Sequence, residues 1–366
     1  MRIMHINSAK NWAGGEVHTH LVCKELVNRG FDVVLACRRN SDIGNVFERD
    51  GIKTFRLNLR NAIDIASSYQ MAQYCRRQNI DIVHAHLGRD YWLAALIKFF
   101  YPEVKVIFTR HVLVPIKKSV FHRWVMNQAS KIIAVSEAVK KVVLDSGIVK
   151  EKQVATIYNG IDVKSFREAS PGILRTELQI KPNTKLVGIV GQVSPHKGQD
   201  FLVKSLPLVL EQYQDMKCII IGSDFKNNQY IGELKVLAKS LELEKQVYFL
   251  GQRTDIPILL KDLDVFVLAS QEEPFGLVVV EAMAAGVPVV ATKCGGVLEI
   301  IADEETGVLV EYGDMQDLAT AVLKLLNDSA MRERIIQNAS NKASCMFSRE
   351  TMVEELLKLY WQIGKE

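Results

Sequence analysis

The sequence predicts an α/β protein made of two doubly wound, Rossmann-like domains. Short apolar runs rich in β-branched residues alternate with amphipathic stretches. The alternation breaks once near the middle, and 366 residues exceed what a single core usually holds. In the first half the runs are RIMHIN, FDVVLAC, IDIVHAH, VKVIFT, KIIAVS and QVATIY. Such runs suit strands of a parallel sheet covered on both faces. The first intervening stretch, 16–29, is amphipathic and ends at Gly30. At 165–172 the string SFREASPG gathers Pro, Gly and charge and reads as a linker. The alternation then restarts with KLVGIVG, KCIIIGS, QVYFLG, DVFVLAS, VPVVAT and GVLVEY. Domains of 1–168 and 169–348 follow, facing each other across a cleft at the C-terminal ends of both sheets, where ligands settle in open α/β folds. Residues 348–363 predict a helix with Val353, Leu356, Leu357, Tyr360 and Trp361 on one face.

Composition narrows the function. With 48% hydrophobic and 24% charged residues the chain reads as a soluble globular protein. The longest apolar candidate for a membrane span, 277–291, holds Glu281 and Pro288. The N-terminus MRIMHINSAK lacks the long apolar core of a signal peptide. Six scattered cysteines without a C-x-x-C fit a reduced, cytoplasmic setting. The net charge of +4 hides an asymmetry: residues 1–168 carry 26 Lys/Arg against 15 Asp/Glu, the remainder 20 against 27, and seven of the eight histidines lie in the first half. A basic half suits an anionic surface or acceptor, or is merely a solvated face; nothing points to nucleic acid.

The most informative segment is 264–296. An apolar run at 264–268 stops at an acidic loop, a helix opens around Phe275, Gly276 and Leu277 and closes at Gly286, and a second run follows at 287–291. Glu273 and Glu281, with seven residues between them, flank the helix start. A helix N-terminus presents unpaired N–H groups and the positive end of a dipole, so it can hold an anion. Glycine at 276 lets a phosphate approach the backbone. Carboxylates roughly two helical turns, about 10 Å, apart suit hydroxyl-rich groups on either side of a diphosphate, which is the layout of a nucleotide-sugar. The competing reading is a buried βαβ unit in which Glu281 caps or pairs locally. A carboxylate on an apolar helix face is nevertheless costly unless something binds it.

The string E-P-F-G-L-x-x-x-E-A-M-A-x-G-x-P-V-V-A at 273–291 resembles the signature of the family 4 retaining glycosyltransferases. Four further strings match the same family, so the resemblance covers nearly the whole chain. It implies the GT-B architecture, with the last helix, 349–366, crossing back onto the N-terminal domain. In N-W-A-G-G-E-V-H (11–18), Gly14 and Gly15 bring bare backbone toward the donor, although a tight βα turn would look the same. The acidic residue directly follows the glycine pair there, a version similar to lipopolysaccharide-core enzymes. In G-Q-V-S-P-H-K-G (191–198) the family's diphosphate-binding Lys is Lys197, but Gln192 stands where Arg is usual. A neutral amide can hydrogen-bond phosphate yet not offset its charge. In T-R-H-V-L-V-P (109–115), His111 matches the histidine that faces the reacting sugar. Y-N-G-I-D (158–162) reads as a structural turn. In G-Q-R-T-D (251–255), the resemblance places Arg253 near the nucleotide base, where it could stack.

Other patterns carry less. His84 and His86 share one face of a strand, as metal ligands do, but the sequence offers no third partner. Asp262 and Asp264 spell a D-x-D that abuts a buried strand, so no metal site is expected. Residues 112–127 combine Lys117, Lys118 and Arg123 with Phe121, Trp124 and Val125, which fits a basic interfacial helix on anionic lipid or packing against the domain.

The resemblance therefore implies a retaining, metal-independent hexosyl- or related glycosyltransferase, peripheral on the cytoplasmic face of the membrane. Its donor would be a nucleotide-diphosphate-sugar (a UDP-sugar first) and its acceptor a cell-envelope glycan or glycolipid, as in lipopolysaccharide synthesis. No other cofactor is implied. Glu273, His111 and Lys197 would act at the reacting centre. Gly14, Gly15, Gln192, Lys197, Arg253, Glu273, Phe275, Gly276, Leu277 and Glu281 would hold the donor. The alternatives are an epimerase or phosphorylase of the same architecture, and a non-catalytic sugar-nucleotide-binding protein.

Overall fold

A computed structural model describes residues 1–10, 14–59, 61, 63–224 and 228–365. The chain divides into two compact units, Met1–Gly160 with Arg349–Glu366, and Ile161–Ser348. Each is a parallel sheet flanked by helices.

The first unit holds β1 (Arg2–Asn7), β2 (Asp32–Arg38), β3 (Lys53–Leu57), β4 (Ile82–Ala85), β5 (Lys105–Arg110), β6 (Lys131–Ala134) and β7 (Val154–Thr156). Their order is β3-β2-β1-β4-β5-β6-β7. The chain winds outward from β1 and then returns beside it, so the strand order reverses between β1 and β4 while all strands stay parallel. Ligands collect at such a point, outside the C-terminal strand ends. The apolar runs are covered on both faces: Ile3, Met4 and Ile6 are fully buried. Strand β3, KTFRL, has no counterpart among the runs read from sequence. It is a half-buried edge strand whose Lys53 and Arg56 break the apolar pattern.

The helix Arg349–Lys365 belongs to this unit and packs on the helix Gly14–Asn28. Val353, Leu356 and Tyr360 enter its core. Trp361 was expected on the same face but is 52% exposed; the buried stripe runs instead through Met352, Leu359 and Ile363.

The second unit holds β8 (Leu186–Val190), β9 (Lys217–Ile221), β10 (Val247–Gly251), β11 (Val265–Leu268), β12 (Val289–Thr292) and β13 (Val308–Val310), ordered β10-β9-β8-β11-β12-β13. Its reversal lies between β8 and β11. The loops leaving those two strands are 191–198 and 269–276. Among the described residues no helix is long and apolar enough to cross a membrane.

Candidate active site

Two glycines fix the loops at the end of the second sheet. A Cβ on Gly198, where φ is +69°, would stand 1.9 Å from the Ala269 carbonyl oxygen. One on Gly296 would stand 2.6 Å from the Pro274 oxygen. Only a residue without a side chain lets these backbones meet. Gln271 N–H donates to the His196 carbonyl at 3.0 Å and closes the 191–198 loop onto the 269–276 loop. Lys197 and Glu273 are thereby brought together, with Nζ 2.6 Å from Oε2. The Glu273 side chain is 12% exposed and also accepts from Ser270 Oγ at 3.4 Å.

The helix beyond this pair is Leu277–Ala285, closed by Gly286. Gly276 takes its N-cap position at φ +109° with no side-chain cap; its carbonyl accepts from Val279 N–H at 3.0 Å, so the amides ahead of Val279 are the ones the helix mouth can offer an anion. A Cβ on Gly276 would lie 3.6 Å from Glu273 Cγ, which sets the ion pair against the helix mouth. Phe275 turns inward, 2% exposed, and meets Phe347 edge-on at 5.6 Å; what it can offer a ligand is backbone. Residues 273–276 are not helical, so the two-turn spacing expected between the glutamates does not hold; one turn separates Leu277 from Glu281. Glu281 is partly buried, with no partner among the described residues, and burial pushes its carboxyl up to about 7.

Gln192 is exposed in the same loop, and its carbonyl accepts from Gln199 Nε2 at 3.0 Å. Arg253 is tied down, giving bonds of 2.7–2.9 Å to both carboxylate oxygens of Asp255 and of Glu177. That leaves the flat face of its guanidinium for stacking. The D-x-D carboxylates have structural duties. Asp262 accepts from Gly172 N–H at 2.6 Å and Leu174 N–H at 2.8 Å, and Asp264 pairs with Lys185 at 3.0 Å and Arg175 at 3.3 Å.

These geometries sit within recognisable families. Residues 173–342 match the family model Glycosyl transferases group 1, and residues 12–165 match Glycosyltransferase Family 4. One glycosyltransferase family thus matches the second half of the chain and another the first half, and the chain is a glycosyltransferase. It is 26% identical over 358 residues to N-acetyl-alpha-D-glucosaminyl L-malate synthase of Bacillus anthracis, covering 94% of this chain and 92% of that one. Anabaena HepE, solved in complex with UDP, is 25% identical with a TM-score of 0.87, covering 99% of this chain and 100% of that one. The lipopolysaccharide outer-core galactosyltransferase WaaB shares the fold at 15% identity and a TM-score of 0.74, covering 99% of each chain.

In the first unit of this glycosyltransferase, the helix Gly14–Asn28 starts beside the end of β1; Asn11, Trp12 and Ala13 lie outside the described residues. A Cβ on Gly14 or Gly15 would meet nothing within 4 Å. Their packing does not demand glycine, whereas a ligand lying on that backbone would. His111, just past β5, has its Nε2 buried without a partner, and burial lowers its pKa to about 4. It is therefore neutral near pH 7.

Three features of the glycosyltransferase were not read from sequence. His111 stands among four other histidines, His5, His18, His84 and His86. Their periodicity shows in the IVHAH run, but the strand pairing that adds His5 has no local signal. Secondly, Ser8, at the end of β1, donates from its N–H to Asp90 at 3.2 Å. Its carbonyl accepts from Arg38 Nε and an Arg89 terminal nitrogen, each at 2.7 Å, so two guanidinium groups meet at one backbone oxygen. Thirdly, a cavity of about 380 Å³ is lined by Tyr91, Trp92, Arg110, Ile116, Lys117 and Met126, among others.

The 112–127 segment is not one long helix. The helix is Val120–Asn127, started by Ser119, whose Oγ accepts from His122 N–H. Val125 is buried and Trp124 half-buried, so they leave the outward face, while Val112, Val114, Val120 and Phe121 are exposed with Lys117, Lys118 and Arg123.

Proposed function

We propose that the protein is a retaining, metal-independent glycosyltransferase that takes a sugar from a UDP-sugar. The Lys197–Glu273 pair at an uncapped helix mouth carries this reading. An arriving diphosphate competes for Lys197 Nζ and for the amides around Phe275, Gly276 and Leu277. Drawing Lys197 off leaves Glu273 free to accept hydrogen bonds from the hydroxyls of the transferred sugar. The same cation and amides then stabilise the departing phosphate, which is the main electrostatic demand of the transfer. Because Gln192 is neutral, the cationic share falls on Lys197. Glu281 accepts from the ribose hydroxyls and the face of Arg253 stacks on the base. Gly14 and Gly15 admit the donor to their backbone. Neutral His111 hydrogen-bonds a sugar hydroxyl through Nε2. Retention follows if the leaving phosphate takes the acceptor's proton on the same face. Complexes of HepE with UDP and with UDP-glucose support the choice of donor.

The acceptor is a cell-envelope glycan or glycolipid of the lipopolysaccharide type, met at the cytoplasmic face of the membrane. The exposed Val112, Val114, Val120 and Phe121 beside Lys117, Lys118 and Arg123, above a cavity with aromatic and cationic walls, support this reading. A second reading, a small anionic acceptor, is favoured by the convergence of Arg38 and Arg89 and by the malate named for the Bacillus anthracis relative.

The test incubates the protein with UDP-, GDP- and ADP-sugars in EDTA, first alone and then with glycolipid or small acidic acceptors. Transfer from a UDP-sugar with anomeric retention is expected. Sugar isomerisation without acceptor, or turnover that needs free phosphate, would assign the site to an epimerase or phosphorylase. Binding without turnover would leave a sugar-nucleotide-binding protein.

A further inference from the structure

Five of the eight histidines gather in the first unit. His5 and His84 are opposite one another in the register of β1 with β4. His86 lies two residues beyond His84 on the same face, His18 comes from the helix Gly14–Asn28, and His111 follows β5. Two triads bring one ring nitrogen from each member within 4.8 Å: His5, His84 and His86, and His18, His86 and His111.

Hydrogen bonding decides between them. His84 has both nitrogens engaged, Nδ1 at 2.6 Å from Tyr360 OH and Nε2 at 2.6 Å from Thr109 Oγ1, so it has no lone pair to give. In the other triad, His18 Nδ1, His86 Nδ1 and His111 Nε2 are all buried without a partner. Orphaned polar atoms are rare in a folded interior, and one on each of three rings that stand together points to a ligand. His5 Nδ1 lies 2.9 Å from His86 Nε2. With the proton on His86 Nε2, that contact leaves the His86 Nδ1 lone pair free and fixes the ring, as supporting partners of metal ligands do. Burial holds His18, His86 and His111 below the usual histidine range, so their rings are neutral and able to coordinate.

We propose that His18, His86 and His111 form a three-histidine site for a divalent transition ion of the zinc class, oriented by His5. Neutral imidazoles suit such an ion, and three of them leave a fourth tetrahedral position open. Zn–N bonds of about 2.0–2.1 Å put the nitrogens about 3.3 Å apart, so the rings close inward by up to about 1.5 Å on binding. An ion held there takes His111 Nε2, the atom assigned above to the sugar. Zinc therefore inhibits transfer; this consequence rests on the proposed function, whereas the metal binding does not.

The test strips the full-length chain with EDTA, dialyses it against zinc chloride in a non-coordinating buffer, and counts bound zinc per chain. One zinc per chain is expected. His18→Gln and His111→Gln should each abolish it, and His5→Gln should weaken it about 10- to 100-fold. His20→Gln and Cys345→Ser, at a histidine paired with Asp50 and at the exposed thiol, should retain it. Circular dichroism melts without zinc check that each variant folds. No stoichiometric zinc in the wild type, or zinc that survives both His18→Gln and His111→Gln, overturns the site. Transfer is then assayed with zinc and with EDTA. Inhibition reversed by EDTA supports both readings, and full zinc occupancy without inhibition removes His111 from the sugar while leaving the zinc site standing.

Discussion

Replacing Glu281 with Gln should make the protein more stable and a poorer binder of donor. The Glu281 carboxyl has no partner among the described residues, and burial raises it from 4.5 to about 7. The folded state thus holds a proton that the unfolded chain has released between those pH values. The contribution of Glu281 to stability is greatest below about pH 4.5 and is lost as pH rises through 7. The loss is about 3 kcal/mol at 1.36 kcal/mol per pH unit, or about 2 kcal/mol after allowance for partial exposure. Glu281→Gln removes the charge and keeps the shape. At pH 8 its melting temperature should rise by about 4–8 °C for a domain this size, and at pH 4.5 the gain should vanish. UDP affinity should fall about 10- to 100-fold, since hydrogen bonds to a charged acceptor contribute about 1.5–3 kcal/mol. Thermal melts at both pH values and calorimetric titration with UDP read the two effects. A lower melting temperature with unchanged UDP affinity would make Glu281 a structural residue and refute the reasoning.

Lys197→Ala should lower kcat about 10²- to 10³-fold, the usual cost of one transition-state donor, with UDP affinity reduced; steady-state kinetics check it, and an unchanged kcat would exclude Lys197 from the chemistry. Gly15→Ala should keep or raise the melting temperature, because the new Cβ meets nothing within 4 Å and alanine favours helix by about 1 kcal/mol, yet weaken donor binding at least about tenfold; equal affinity would place the donor elsewhere. Phe121→Ser with Lys118→Ser should release the protein from anionic liposomes at low salt without altering its melt, and equal retention would end the membrane proposal.

Much of this molecule can be read locally. The apolar runs predict their strands because parallel strands buried on both faces need little else. Edge strand β3 escaped because half its side chains meet solvent. The helix over 277–285 was legible from Gly276, Gly286 and the apolar run between them. Its approach was not: Glu273 reaches the helix mouth through a turn whose shape depends on Gly198 and Gly296 meeting backbone far away in sequence. Lys197 and Glu273 could be named as candidates from motifs, but their 2.6 Å contact is a product of the fold. The histidine cluster was least legible, since it needs the register of β1 with β4 and a helix and loop from elsewhere in the unit.

A crystal structure with UDP tests the central claim most directly. The account predicts β-phosphate oxygens within about 3.2 Å of amides at 275–277 and of Lys197 Nζ, with the Lys197–Glu273 contact opened and Glu281 on the ribose. A diphosphate bound elsewhere, with Lys197 still closed on Glu273, would contradict it.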